Sequence, residues 1–254
     1  MIHKISFQNG RGLTLRGIVS VPQKYDTAVI FLHGFPSNHQ GFTASRLLPM
    51  FSRTNYLFLL FSFSHSSPSD GKFEDKLMGK EVADIKSAID FLQKNYHFKK
   101  LVLMGHSTGA IDAALYAPRD PRVDKVILSG GVSDLKHAVR YDFTDQQVYD
   151  FWNKGYITYN APGKWYHHKK LKKAFYDEFF TLDIPAALKK YHKPILILHG
   201  EKDEAVPVKE AHELFALANQ PKRLVIIRDA DHRFSEPKHF RKAMVQIKKF
   251  IEKN

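Results

Sequence analysis

A serine with the surroundings of an activated nucleophile lies near the middle of the sequence. The pentapeptide at 105–109 reads GHSTG and matches the pattern G-x-S-x-G. It directly follows a short apolar run and directly precedes residues 110–115, whose composition is typical of a helix. Small flanking residues allow a strained turn from strand to helix, and a helix start favours the negative charge that develops beside the serine. We therefore predict that Ser107 is a catalytic nucleophile.

A serine hydroxyl is a poor nucleophile until a base takes its proton, and the sequence offers an acid and a base after Ser107. Asp203 and His232 each follow a short apolar run of strand length. Strand ends of this kind meet at one edge of a parallel sheet. We predict that His232 is the general base and that Asp203 orients it, with Glu201 and Glu204 as alternative acids.

The negatively charged oxygen formed during acyl transfer needs preset N–H donors. One predicted donor is the backbone N–H of Thr108, which follows the nucleophile. The second is predicted in the loop His33-Gly34-Phe35-Pro36, which follows an early apolar run. Gly34 allows a close turn and Pro36 has no N–H, so Phe35 is the expected donor.

The elements that must position these residues alternate along the chain. Short apolar runs of strand length alternate with helix-like stretches, which predicts a mostly parallel sheet with helices on both faces. Residues 5–7 and 13–21 differ, because the linker 9–12 reads NGRG and predicts an antiparallel hairpin at the sheet edge. The predicted parallel strands are 28–32, 56–61, 101–104, 126–128, 195–198 and 224–227.

These motifs together resemble the α/β-hydrolase superfamily: His33-Gly34-Phe35, GHSTG at 105–109, His199-Gly200-Glu201-Lys202-Asp203 and Asp231-His232. The stretch 69–75 is similar to the cinnamoyl/feruloyl esterase and monoacylglycerol-lipase-like branch, often called serine aminopeptidase-like hydrolases. The resemblance covers nearly the whole chain. It implies an α/β-hydrolase fold, ester hydrolysis and a small cap inserted after the sixth strand.

The sequence departs from that branch at two places. The branch usually has G-H-G after its fourth strand, where this chain has SHSSP at 64–68. Its nucleophile motif often ends in two glycines, whereas Ala110 follows the last glycine here. These differences leave the exact substrate open.

An aromatic-rich stretch at 134–185 interrupts the alternation of strands and helices and contains both tryptophans. A structureless loop of this length is improbable in a compact domain. We predict that 134–185 is an inserted cap on a core made of 1–133 and 186–254. Its aromatic residues form either the hydrophobic core of the cap or a wall of the substrate pocket. The predicted substrate-binding residues are His33, Gly34, His106, Trp152, Tyr159 and Trp165.

Composition narrows the remaining classes. The chain has 254 residues, 43% of them hydrophobic, and no cysteine, which excludes disulfides and thiolate catalysis. The adjacent His167 and His168 lack metal-ligand spacing, so no metal and no cofactor is expected. The net charge of +13 suits nucleic acid, an anionic membrane or an anionic substrate, but the lysines are scattered and no nucleic-acid motif is present. A local basic cluster contains Lys164, His167, His168, Lys169, Lys170, Lys172 and Lys173.

The predicted function is hydrolysis of a small-molecule carboxylic ester through an acyl-enzyme intermediate. Feruloyl or cinnamoyl esters and short-to-medium acyl esters are the candidate substrates. The alternatives are a catalytically silent scaffold that binds a small ligand or an anionic partner, and a peptidase, thioesterase or acyltransferase with the same triad. We expect a cytoplasmic protein without stable membrane insertion, because the sequence has no signal-peptide core and no apolar run of ~20 residues. A homodimer is left open.

Overall fold

A computed structural model describes residues 1–253. Its strands are β1 (Ile2–Gln8), β2 (Thr14–Ser20), β3 (Thr27–Leu32), β4 (Tyr56–Phe61), β5 (Lys100–His106), β6 (Lys125–Ser129), β7 (Tyr156–Thr158), β8 (Lys170–Lys172), β9 (Ile195–Gly200) and β10 (Lys222–Ile227). Its α-helices are α1 (Phe42–Phe51), α2 (Met78–Asn95), α3 (Thr108–Tyr116), α4 (Leu135–Asp142), α5 (Asp145–Lys154), α6 (Lys173–Glu178), α7 (Ile184–Leu188), α8 (Lys209–Leu217) and α9 (Pro237–Glu252). Across residues 1–253, the structure contains no helix whose length and apolar character would suit a membrane span.

Eight strands form one mixed sheet in the order β1-β2-β4-β3-β5-β6-β9-β10. The pairs from β4 to β10 are parallel, whereas β2 pairs antiparallel with both β1 and β4. This arrangement confirms the predicted mostly parallel sheet. The predicted hairpin is present as β1 and β2. Of these two strands, only β1 lies at an edge of the sheet.

Apolar side chains of the central strands pack to both faces of the sheet, which is why these strands read as continuous apolar runs. In β3, Val29 and Phe31 join one buried cluster with α1 and α9. Ala28, Ile30 and Leu32 join the opposite cluster with α2, α3 and α8. The sheet is therefore covered by helices on both faces, and its strand ends are held between two cores.

The segment 134–185 folds into several short elements rather than one loop. It contains α4, α5, the antiparallel pair β7 and β8, α6 and the start of α7. Phe143 packs on Phe151 and Phe179, with ring centres 5.2 and 5.4 Å apart, so part of the aromatic excess forms the segment's own core. The predicted boundary at residue 185 falls inside α7, which packs against α3 of the core.

Candidate active site

Ser107 lies on the turn between β5 and α3 with φ 57° and ψ −127°, a conformation that non-glycine residues rarely adopt. Two glycines allow the turn to close. A Cβ at Gly105 would lie 2.0 Å from the Gly109 carbonyl oxygen, and one at Gly109 would lie 2.1 Å from the Leu32 carbonyl oxygen. The Ser107 N–H donates to Ser129 O at 2.8 Å. The two glycines of the pentapeptide are thus required by close backbone contact.

Two backbone N–H groups beside Ser107 are available to a negatively charged oxygen. Within the described residues, neither the Thr108 N–H nor the Phe35 N–H donates a hydrogen bond. The loop that carries Phe35 passes against Ser107, because a Cβ at Gly34 would lie 2.8 Å from Ser107 Cβ. Both predicted donors are therefore near Ser107, and any residue larger than glycine at position 34 would displace the loop.

The imidazole of His232 is hydrogen-bonded to Asp203. His232 Nδ1 lies 2.7 Å from Asp203 Oδ2, and the Asp203 side chain is fully buried. Asp203 Oδ1 accepts from the N–H groups of Ala205 and Val206 at 2.9 and 2.7 Å. Burial by itself would raise the pKa of Asp203, but hydrogen bonds from His199 and His232 outweigh it and hold the pKa far below its usual range. Asp203 therefore stays ionised beside His232.

His199 is a partner of Asp203 that the sequence reasoning did not assign. Its Nε2 lies 3.1 Å from Asp203 Oδ2 and 2.9 Å from the Val206 carbonyl oxygen, and the ring is fully buried. Both neighbours are acceptors, so Nε2 must carry a proton. The sequence signal is the spacing of four residues in His199-Gly200-Glu201-Lys202-Asp203, which places the two side chains on one turn.

The alternative acids do not reach the His232 ring. Glu201 Oε2 accepts from the Asp229 N–H at 2.9 Å, and Glu204 Oε2 accepts from the backbone N–H of His232 at 3.2 Å. Both carboxylates therefore fix the loop that carries the histidine, while Asp203 contacts the imidazole itself.

Two further histidines line the cavity beside Ser107. His33 Nδ1 donates to Gly34 O at 2.9 Å, and its Nε2 accepts from the Phe63 N–H at 3.2 Å. Burial lowers the pKa of His33 to about 3. His106 lies 4.8 Å from His232 between ring centres, and burial lowers its pKa well below the usual value. Both rings are therefore neutral at physiological pH, and His33 holds the loop of Phe35 in place.

A cavity of about 420 Å³ opens over Ser107. Its core wall includes six of the predicted site residues, among them Ser107 and His232, and its cap wall consists of residues 163–166. No hydrogen bond from Ser107 Oγ is formed among the described residues, and catalytic hydrogen bonds often tighten only when substrate is bound. The predicted site residues that line the cavity are His33, Gly34, Phe35, His106, Ser107, Trp165 and His232.

The three predicted cap residues have different positions. Trp165 lines the cavity, as does its neighbour Tyr166, which was not predicted. Tyr159 lies behind them, with its ring centre 5.5 Å from Tyr166 and 6.1 Å from Phe35. Trp152 is not brought to the cavity: it is 66% exposed on α5, with Lys173 Nζ 3.9 Å from its ring centre. The sequence showed that the segment is aromatic, but not which rings turn towards Ser107.

A second opening on Ser107 is much smaller. A crevice of about 10 Å³, roughly the space of one water molecule, is lined by Ser107 and Thr108 and, from α4, by Tyr141 and Asp142. The two openings differ by more than tenfold in volume. A ligand of more than a few atoms therefore fits only the cavity of 420 Å³ without movement of α4.

One group of potential metal ligands was found in the described chain, away from this cavity. His137, Glu210 and Glu213 place one ligand atom each within 4.8 Å of one another. Protein donors already serve the carboxylates: Ser133 Oγ lies 2.6 Å from both, and Tyr141 OH donates to Glu210 at 2.9 Å. The group fastens α4 to α8, and we assign it no ion.

Comparison with known proteins gives a family model described as alpha/beta hydrolase family, which matches residues 29–240. A bifunctional esterase/perhydrolase of Acinetobacter calcoaceticus is 27% identical over 217 residues, 72% of this chain and 76% of the relative. The mitochondrial palmitoyl-protein thioesterase ABHD10 of Rattus norvegicus is 26% identical over 237 residues, 89% and 75% of the two chains. The solved structure of Est1E from Butyrivibrio proteoclasticus with bound ferulic acid superposes with a TM-score of 0.81 at 20% identity, covering 98% of this chain and all of that one.

Proposed function

The chain belongs to the alpha/beta hydrolase family, and from this membership we propose that it is a serine hydrolase that cleaves carboxylic esters through an acyl-enzyme. Ser107 is the nucleophile, His232 the general base and Asp203 the residue that orients the base. The observation that carries the proposal is the buried hydrogen bond of 2.7 Å between Asp203 and His232, beside a cavity that is lined by Ser107 on its strained turn.

In the proposed reaction, His232 takes the proton from Ser107 Oγ as the oxygen attacks the acyl carbon. The oxygen of the former carbonyl becomes negative and accepts hydrogen bonds from the Thr108 and Phe35 N–H groups. Collapse of this intermediate breaks the bond to the alcohol, which leaves with the proton from His232. Water then attacks the acyl-enzyme with His232 again as base, and Ser107 is regenerated.

The shape of the site supports esters of modest size. The cavity of about 420 Å³ is within the range of small-molecule sites, whereas the crevice on the other side of Ser107 holds about 10 Å³. An ester with one bulky half and one small half fits this pair of openings. Feruloyl or cinnamoyl esters and short-to-medium acyl esters are therefore the proposed substrates.

A thioester is the second candidate. One relative, 26% identical over 237 residues, is a palmitoyl-protein thioesterase. The same nucleophile, base and donors serve both reactions, since only the leaving group differs. A matched pair of oxygen and sulfur esters with the same acyl group separates the two.

We also propose that residues 134–185 act as a cap over a core made of 1–133 and 186–254. Residues 163–166 of this segment form one wall of the cavity, and Tyr166 of that wall packs on Tyr159 of the same segment, 5.5 Å between ring centres. The chemistry would then lie on the core and the choice of substrate partly on the cap.

A fluorophosphonate probe tests the function, because it reacts covalently with an activated serine. We expect labelling of the wild-type protein and loss of labelling in Ser107→Ala, with kcat for ester hydrolysis lowered by about 10⁴- to 10⁶-fold. Ser37→Ala is the matched control, since Ser37 lines the same cavity and should leave labelling unchanged. An unlabelled wild-type protein without hydrolysis of any ester would favour the catalytically silent scaffold.

A further inference from the structure

The charged side chains that line the cavity over Ser107 are all positive among the described residues. Two cationic side chains line it, Lys164 from the cap and Arg233 from the core, and both residues are exposed. No aspartate or glutamate is among the described residues that line this cavity. A cavity with fixed positive charge and no carboxylate attracts anions.

Neither cation is neutralised by the protein. Within residues 1–253, no carboxylate lies within 4.0 Å of the Lys164 ammonium or the Arg233 guanidinium, and neither donates a hydrogen bond. Other lysines of the basic cluster do not line the cavity: Lys169 and Lys170 lie over the rings of Trp165 and Tyr156. Lys172 pairs with Asp75, and Lys173 pairs with Asp177. Lys164 and Arg233 therefore line the cavity without an ion-pair partner among the described residues.

Arg233 also lies close to the proposed reacting groups. It directly follows His232 in the chain, and it lines the cavity together with Ser107. Burial and the charge of His232 lower the pKa of His106 most, and the Arg233 guanidinium adds to their effect. A guanidinium can bind a carboxylate or a phosphate through two parallel hydrogen bonds, which gives it direction as well as charge.

The opposite side of Ser107 has a carboxyl group in place of the cations, and burial raises the pKa of that carboxyl, Asp142, to about 6. The small crevice is lined by Asp142 of α4, and no described lysine or arginine lines it. An ester with an anionic group at one end would be drawn with that end towards Lys164 and Arg233. The two openings thus favour one orientation of such a substrate over the other.

From this arrangement we infer that the preferred substrate carries an oxyanion group, a carboxylate or a phosphate, which binds between Lys164 and Arg233 while its ester bond lies at Ser107. The inference rests on the proposed serine-esterase function and specifies its substrate class. Lys164 and Arg233 act as specificity residues and take no part in the proton transfers.

The test compares matched anionic and neutral esters. The acyl-side pair is mono-para-nitrophenyl adipate and para-nitrophenyl hexanoate, and the alcohol-side pair is meta-acetoxybenzoate and its methyl ester. We expect Arg233→Gln and Lys164→Gln each to lower kcat/KM for one anionic ester by about 3- to 10-fold, with the neutral partner changed less than about twofold. High salt should weaken the wild-type preference.

Arg228→Gln is the matched control. It removes the same unit of charge from the same loop, but Arg228 is 86% exposed and does not line the cavity. The ratio of anionic to neutral kcat/KM should therefore stay at the wild-type value. If the overall charge of +13 were responsible, this variant would behave like Arg233→Gln, and the inference would be wrong.

Calorimetric binding of adipate and of meta-hydroxybenzoate gives a readout that does not need catalysis. We expect at least one to bind the wild-type protein more tightly than either glutamine variant. Unchanged ratios and unchanged binding in both variants, with hydrolysis intact, would overturn the inference and leave the proposed function standing. Absence of probe labelling with charge-dependent binding intact would instead overturn the proposed function.

Discussion

The two walls of the cavity over Ser107 are built in different ways. The core wall carries Ser107, His232 and the loop of Gly34, each directly beyond a strand of the eight-stranded sheet. The cap wall, residues 163–166, lies between the short strands β7 and β8. The core wall therefore inherits its geometry from the sheet, whereas the cap wall depends on packing between a few aromatic rings.

Close contacts between glycines and the side chains of Ser107 and His232 make this part of the core intolerant of change. A Cβ at Gly130 would lie 3.0 Å from His232 Cε1, and one at Gly34 would lie 2.8 Å from Ser107 Cβ. A Cβ at Gly163 in the cap wall would meet no atom within 4 Å, although its φ of 76° favours glycine. The difference suits a division of labour in which the core fixes the chemistry and the cap adjusts the substrate.

The largest effect should come from the core wall. Asp203→Asn should lower kcat/KM by about 10²- to 10⁴-fold, because an amide neither holds His232 in the correct tautomer nor stabilises its charged form. Glu204→Gln is the control, since Glu204 contacts only the backbone N–H of His232 and should cost less than about fivefold. Ester kinetics on both purified variants measure this, and a silent Asp203→Asn with a damaging Glu204→Gln would show that the acid is misassigned.

The core wall could be predicted from sequence because its determinants are local. The strained turn at Ser107 needs small residues at fixed offsets, and chain order separates Asp203 and His232 from the other acids and histidines. Strand ends of a parallel sheet then bring these distant segments to one edge. His199 was missed because its contact with Asp203 depends on the backbone course of a loop, which motif spacing suggests but does not fix.

The cap wall could not be predicted at the level of single residues. Both tryptophans lie in an aromatic segment, yet Trp165 lines the cavity while Trp152 faces solvent. Which tryptophan faces the cavity depends on how β7, β8 and the chain between them fold over the core. No periodic pattern in the sequence predicts this arrangement. The cations Lys164 and Arg233 were hidden for the same reason, since the sequence shows many lysines and arginines but not which ones lack a partner.

A loss of activity of intermediate size should come from acid, which protonates the proposed base in the core wall. Burial holds the pKa of His33 at about 3 and that of His106 well below its usual value, while Asp203 stays ionised. Protonation of His232 alone should therefore stop catalysis, because the charged ring cannot accept the Ser107 proton. In acid, kcat/KM for a neutral ester should therefore fall tenfold per pH unit, which is the slope of a single protonation. A fall of a hundredfold per unit would show that a second group titrates and that burial of His33 or His106 is misjudged.

The smallest change in kcat/KM should come from substitutions in the cap wall. The two tryptophans form a matched pair for measuring it. Trp165→Ala should change the ratio of kcat/KM between acetyl, octanoyl and feruloyl esters several-fold, because Trp165 lines the cavity. Trp152→Ala should leave these ratios unchanged, since its ring is 66% exposed and contacts Lys173 instead. Melting temperatures separate an effect on selectivity from an effect on cap stability. The Trp165 ring also packs on Phe73, 5.3 Å between ring centres, so Trp165→Ala should lower the melting temperature moderately. Equal changes of the ratios in both variants would show that the cap acts on substrate choice through its overall stability, and the contrast between the two walls would then lie in rigidity alone.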